Sequence, residues 1–334
     1  MKPIGPLTLA IEREQWPLVM PFSVTGYTWN VLDVLVVRLE TDGHVGRGEA
    51  GGVYYRNETL ASMVGQIEGL RTRIEAGVSR AALHGLLPCG GARNALDCAL
   101  WDLEAQVSGR AAWRIAELDA PRPLLTTHTC GADTPDRMAA RARGFADARA
   151  LKLKLTGVPA DADCVRAVRE ARPDVWLGVD ANQGFTRPFL EQLMPVLTEA
   201  RVALIEQPFP VGADALLDGF QSPIPIAADE SVQGLSDIPG LVGRYDVVNI
   251  KLEKCGGLTE GLAMARASQA LGLETMVGCM IGTSLAMAPG FLVGQLCGIV
   301  DLDGPMSLKR DRASPVEYVE GRIQCPEALW GHGR

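Results

Sequence analysis

The chain of 334 residues is 47% hydrophobic and 22% charged, the balance of a globular protein with one large or two unequal domains and a sizeable core. Its net charge of −8 argues against a nucleic-acid surface, but leaves the substrate open because a bound metal reverses the local charge of a site. Eight scattered cysteines without a C-x-x-C pair read as buried thiols in a reducing, cytoplasmic setting.

The first residues, MKPIGPLTLAIEREQWPL, are broken by prolines and charges and do not read as a signal peptide. Residues 1 to about 50 suggest antiparallel strands. Val31 to Glu40 is rich in β-formers, Thr41-Asp42-Gly43 supplies a turn, and Val45 to Ala50 follows. Phe22 to Asn30 carries no period and is expected to be a loop. Ala92 to Ser108 predicts a helix with Leu96, Leu100, Leu103 and Val107 on one face, ended by Gly109.

From about residue 120, short apolar runs alternate with helical ones. The runs end near Thr129, Lys154, Asp180, Glu206, Asp229, Lys251, Cys279 and Asp301, and from Lys154 onward they are 22 to 28 residues apart. Each interval has room for one helix; Pro195 should kink the one after Asp180. Eight such units close most simply into a (β/α)8 barrel, with a doubly wound sheet as the alternative. Ser284 to Val300 is too interrupted by glycine and proline to span a membrane, and reads as a core helix and strand. The tail from Pro315 lacks the rhythm and is expected to return to the N-terminal domain.

The polar residues at the run ends carry the chemistry. Lys251 stands in Val248-Asn249-Ile250-Lys251, where a buried lysine is costly unless a cation or amine is needed there. Lys154 ends Leu151-Lys152-Leu153-Lys154 and raises the same question. Between them come Asp180, Glu206 and Asp229, whose clustered negative charge calls for a cation; an all-oxygen set suits Mg2+. Such a metal would stabilise an enediolate made from a carbon acid next to a carboxylate. A nearby cation, Mg2+ or Lys152, would lower a lysine pKa toward neutrality. Two lysines facing each other across a planar enediolate could then invert the carbon.

The ordered set LKLK, DAN, IEQP, ADES, VNIKLEKCGGL and DLDGP, with ARNALDCALWDLE earlier, resembles the enolase superfamily, and within it the dipeptide epimerases. The resemblance implies a modified (β/α)7β TIM barrel over residues 120–309. It also implies an α+β capping domain over 1–115, to which 310–334 return. It implies Mg2+ on Asp180, Glu206 and Asp229, with Lys154 and Lys251 as acid/base pair. Lys152 would hold the substrate carboxylate, and Asp301 and Asp303 its ammonium group. Asn182 and Glu230 would support the metal ligands. Tyr27 and Met280 would line the substrate pocket, Met280 within a Gly278 to Thr283 run that matches neither P-loop nor dinucleotide spacing.

The implied reaction is epimerisation at the second residue of a dipeptide such as L-Ala-D/L-Glu. One departure concerns the substrate: the arginine that serves the glutamate side chain in acidic-dipeptide enzymes is absent after Pro21-Phe22. A cationic or hydrophobic second residue stays open, with Tyr27 or Trp29 in its pocket. N-acyl amino acid racemases, o-succinylbenzoate synthases and muconate cycloisomerases would use the same lysine pair, but the last two have substrates with no ammonium group for Asp301 and Asp303. His44, His84, His128 and His332 do not end the sixth or seventh strands, which argues against the histidine-dependent branch. A barrel that only binds a ligand should lack one of these groups, and none is missing. The partner is a small molecule, with neither nucleic acid nor membrane; a homo-oligomer is compatible with the chain.

Overall fold

The computed structural model describes residues 4–24 and 27–333; the side chains of residues 22–27, Tyr27 among them, lie outside the described part. Three strands open the chain, β1 (Thr8–Val24), β2 (Tyr27–Thr41) and β3 (His44–Ala50), in one antiparallel sheet. Asp42 and Gly43 both have positive φ, as the tight turn between β2 and β3 requires. The described part of the expected loop from Phe22 to Asn30 is instead paired: Phe22 pairs with Trp29, Ser23 with Thr28 and Val24 with Tyr27. Because β3 pairs only with Leu35 to Thr41, no third strand joins this stretch. Without a third strand beside it, little imposes the alternation by which strands are recognised.

The helix Gly91–Ser108 ends at Gly109 as expected (φ 65°). It is not one-faced, however. Every residue from Gly91 to Ala105 is buried, whereas Val107, expected on the apolar stripe, is exposed. The helix is wedged between the sheet and the barrel. On the sheet side, a Cβ on Gly46 or Gly48 would meet the carbonyl oxygens of Ala99 or Ala95 at 2.1 Å, so glycine permits this approach. On the barrel side its buried polar groups all find partners. Asp97 accepts from the amide of Thr259 (2.9 Å) and from its hydroxyl (2.5 Å), and Trp101 donates to that hydroxyl (2.9 Å).

After β4 (Leu124–Leu125) come eight parallel strands: β5 (His128–Cys130), β6 (Ala150–Lys154), β7 (Trp176–Asp180), β8 (Leu204–Glu206), β9 (Ile226–Ala228), β10 (Val247–Lys251), β11 (Glu274–Gly278) and β12 (Ile299–Asp301). They pair in sequence order, and the Thr127 amide donates to the Val300 carbonyl (3.0 Å) where β12 meets β5. The result is a nearly closed barrel, not the doubly wound alternative.

Helices follow β5, β6, β7, β10 and β11. The intervals after β8 and β9 hold only 3-10 turns, Asp214–Leu217 and Leu235–Leu241, because prolines 208, 210, 223, 225 and 239 deny them a regular helix. The helix Arg187–Glu199 runs on through Pro195. Pro195 lies on the exposed side, where water can serve the carbonyl left without its helical partner.

Period-2 alternation stacks two layers inside the barrel. Leu204, Ala227, Val247 and Met276 fill the lower layer, with Trp176 and Ile299 against them. The next inward positions, two residues on, are Glu206, Asp229, Asn249, Gly278, Gly178 and Asp301. The tail beyond the barrel forms β13 (Glu317–Val319) and β14 (Arg322–Gln324), which pair with each other, and β14 pairs in turn with β4. The final residues reach the N-terminal elements: Trp330 donates to the Arg47 carbonyl (2.9 Å) and the Gly331 amide to Asp102 (2.8 Å).

Candidate active site

All the functional candidates on the barrel strands stand at the C-terminal strand ends. Lys154 and Asp180 are register partners, as are Asp180 and Glu206. Lys154 is on β6 and Lys251 on β10, four strands apart in a ring of eight, so the two lysines stand on opposite sides of the mouth. The carboxylates of β7, β8 and the end of β9 lie along the arc between them.

Each lysine is ion-paired. Lys154 Nζ is 2.5 Å from Asp180 Oδ2, and Lys251 Nζ is 2.6 Å from Asp229 Oδ2. Lys152 pairs with Asp301 and also lies 3.3 Å from Glu206 and 3.7 Å from Asp180. A fourth ammonium was not foreseen: Lys254 donates to Asp229 Oδ1 (2.6 Å), to its carbonyl (2.5 Å) and to the Asn249 carbonyl (3.1 Å). Lys254 begins one helical turn past Lys251, so its spacing in KLEK was a readable sign. Asn249 was likewise missed; it donates to Glu206 Oε1 at 2.7 Å.

Six carboxylates (Asp180, Glu206, Asp229, Glu230, Asp301 and Asp303) face four ammonium groups (Lys152, Lys154, Lys251 and Lys254), and the imbalance shows in their titration. Burial, then the charge of Asp180, pushes Glu206 up to about 8. Burial, then Asp229, pushes Glu230 up to about 7, and its Oε2 has no hydrogen-bond partner. Burial and Asp301 push Asp303 up to about 6. Against the same burial, Lys251 and Lys254 hold Asp229 well below the usual carboxylate range. Burial pulls Lys251 down, but Asp229, Glu206 and Glu230 outweigh it and raise it well above an ordinary lysine. The expected lowering of this lysine is therefore not present with the side chains as they stand.

Among the described residues no three His, Cys, Asp or Glu side chains close on one point as a ready-made metal shell, because each carboxylate is drawn onto an ammonium or amide instead. The donor chemistry nevertheless fits a divalent cation. The ligand set is all oxygen, it comes from three consecutive strands, and the crowding of carboxylates that raises Glu206 is what such an ion would relieve.

The remaining candidates surround the mouth. Asn182, with φ 42°, donates its amide to Asp180 Oδ1 (2.8 Å). Asp303 accepts from the Thr129 amide (2.7 Å), and Asp301 from the Thr127 hydroxyl. Met280 lines a cavity of about 1030 Å3 that opens between the barrel and the N-terminal sheet. Trp29 and Tyr54 line it too, edge to face at 5.1 Å. His128 is packed between Phe145 and Tyr318 and is no part of the cavity wall.

A network outside every motif fixes the loop after β11. Buried Glu49 accepts from the Thr283 amide (2.8 Å) and hydroxyl, and Arg312 pairs with both Glu49 (2.6 Å) and Glu14 (2.8 Å). Nothing in the sequence joins residues 14, 49, 283 and 312.

Residues 7–115 match the family model of the mandelate racemase / muconate lactonizing enzyme N-terminal domain, and residues 137–333 the enolase C-terminal domain-like model. This chain belongs to the enolase superfamily. It is 38% identical to the L-Ala-D/L-Glu epimerase of Escherichia coli over 95% of this chain and 99% of that one. It is similar to an enolase family member from Agrobacterium tumefaciens with homology to dipeptide epimerases, solved with sodium and L-Ala-L-Glu (TM-score 0.94, 38% identity, 98% and 100% coverage). It is also similar to a Methylococcus capsulatus dipeptide epimerase solved with Mg and L-Arg-D-Lys (TM-score 0.90, 30% identity, 97% and 98% coverage).

Proposed function

We propose that this superfamily member is a Mg2+-dependent dipeptide epimerase, an isomerase that inverts the α-carbon of the second residue. The observation that carries the reading is the opposition of Lys154 and Lys251 across a mouth whose intervening arc is carboxylate. Asp180, Glu206 and Asp229 would hold Mg2+, with Asn182 and Glu230 supporting them. When bound, the ion supplies positive charge beside the substrate carboxylate.

The chain's own groups do the rest. Lys152 takes the substrate carboxylate, and Asp301 and Asp303 take the ammonium group, which fixes the α-carbon between the lysines. One lysine removes the α-proton to give an enediolate, and the other returns a proton to the opposite face. The Asp301 and Asp303 pair favours a free amino terminus over the N-acyl, succinylbenzoate and muconate substrates of related lysine-pair enzymes. A barrel that only binds would not need two opposed amines. The eight cysteines are all free, which supports a cytoplasmic location, and no described helix is long and apolar enough to cross a membrane.

The test is α-proton exchange in D2O across a library of L-Xaa-L-Xaa dipeptides, with Mg2+ and with a chelator. Deuterium should enter the second residue, only with Mg2+, and D-epimer should accumulate. Exchange at no dipeptide would overturn the reading.

A further inference from the structure

Arg141 stands on the wall of the same cavity, on the helix Pro135–Gly144 that follows β5. The guanidinium carries five donors. It reaches only the Gly131 carbonyl at 3.5 Å and the Met20 sulfur at 3.3 Å, both weak acceptors in this geometry. Among the described residues no carboxylate lies within ion-pairing distance of it. The nearest candidate in sequence, Asp133, accepts from the Thr134 amide (2.8 Å) and pairs with Arg137 (3.4 Å). A half-buried guanidinium with spare donors on a cavity wall is suited to an anionic ligand group.

Its position says which group. Arg141 lies against Gly131, where a Cβ would meet its Nη1 at 3.1 Å. Two residues earlier on the same strand end, the Thr129 amide holds Asp303. Between them, the Cys130 thiol feels both charges: burial raises it most, Arg141 pulls it down and Asp303 pushes it up. Arg141 and Asp303 therefore flank one strand end, an anion site beside a cation site. A ligand that spans them carries an ammonium group at one end and a carboxylate at the other.

We propose that Arg141 makes a subsite for an acidic first residue, Asp or Glu, in the dipeptide. The inference rests on the epimerase reading, in which Asp301 and Asp303 hold the α-ammonium of that residue. The first side chain then runs over Gly131 toward Arg141, and its carboxylate takes up the spare donors. The missing arginine after Phe22 concerns the second residue; Arg141 serves the first.

The experiment compares kcat/KM for α-proton exchange of L-Glu-L-Ala and L-Gln-L-Ala, a charged and a neutral isostere, in the Mg2+-loaded wild type, Arg141→Met and Arg141→Lys. The ratio within one enzyme is independent of how much of a variant folds. The wild type should prefer the glutamyl dipeptide by about tenfold or more, as expected when a charged hydrogen bond is made to one isostere only. The ratio should fall to about one in Arg141→Met and lie between in Arg141→Lys. A wild-type ratio near one, or a preference that survives Arg141→Met, would overturn the subsite. L-Ala-L-Ala separates the two readings. If it exchanges while glutamyl preference is absent, only the subsite falls; if no dipeptide exchanges, the epimerase reading falls and the subsite with it.

Discussion

Lys152 on β6 and Asp301 on β12 are ion-paired across the intervening strand β5, each almost wholly buried. The two groups proposed to receive opposite ends of the substrate thus hold each other. Asp301, Glu206 and Asp180 raise Lys152 well above an ordinary lysine despite its burial.

Removing one partner of a buried pair leaves an uncompensated charge. Lys152→Met should therefore destabilise the fold by about 3 to 5 kcal/mol. It leaves Asp180, Glu206 and Asp301 without their shared cation, so Mg2+ should raise the melting temperature of the variant more than that of the wild type. Equal Mg2+ shifts in both proteins would show that Lys152 does not oppose the ion at this cluster.

Arg312 invites a second substitution. Its guanidinium lies 4.8 Å from the Trp16 ring centre while pairing with Glu14 and Glu49. Glu49 is fully buried, and burial raises its pKa against the pull of Arg312. A carboxyl raised in the folded state contributes stability that is present below its unfolded pKa and lost as pH rises through the folded one. Arg312→Met should cost about 3 kcal/mol, and more at alkaline than at acidic pH, because an ionised Glu49 is left without its counter-charge. Urea unfolding at an acidic and an alkaline pH checks the sign. Adding Glu49→Gln should recover part of the loss, and strict additivity would contradict the coupling.

Asp97 gives the pH dependence in isolation from the mouth. Burial outweighs its Thr259 bonds and pushes it up to about 6 from an ordinary 3.8. The folded protein keeps a proton that the unfolded chain releases between these values. Stability from this group is therefore full below about pH 4 and lost as pH rises through 6. Asn cannot ionise, so the difference between wild type and Asp97→Asn should move in the variant's favour by about 3 kcal/mol from pH 4 to pH 8. A difference independent of pH would contradict the raised pKa.

Much of the candidate site was legible because its residues sit in short apolar runs, where a lysine or carboxylate is conspicuous. Lys154, Asp180, Glu206, Lys251 and Asp301 each close such a run, and period 2 carried Lys152 with Lys154. What was not legible depends on the third dimension. Phe22 to Val24 pair with Tyr27 to Trp29 beyond the reach of a third strand, so no alternation marks them. Glu49 and Arg312 meet only because the tail crosses back to the sheet. The helix Gly91–Ser108 shows an apolar stripe, yet its polar side is buried against the loop before Thr259, which no periodicity reveals. The prolines after β8 and β9 were visible, but interval length alone promised helices there.

The central claim is that Lys154 and Lys251 act on opposite faces of one carbon. Its most direct test is α-proton exchange in D2O by Lys154→Ala and Lys251→Ala, each given the L,L and L,D forms of a turned-over dipeptide. The account predicts that neither variant interconverts the epimers, and that each still exchanges only one form, a different one for each variant. Epimerisation by either variant at near wild-type rate would contradict it.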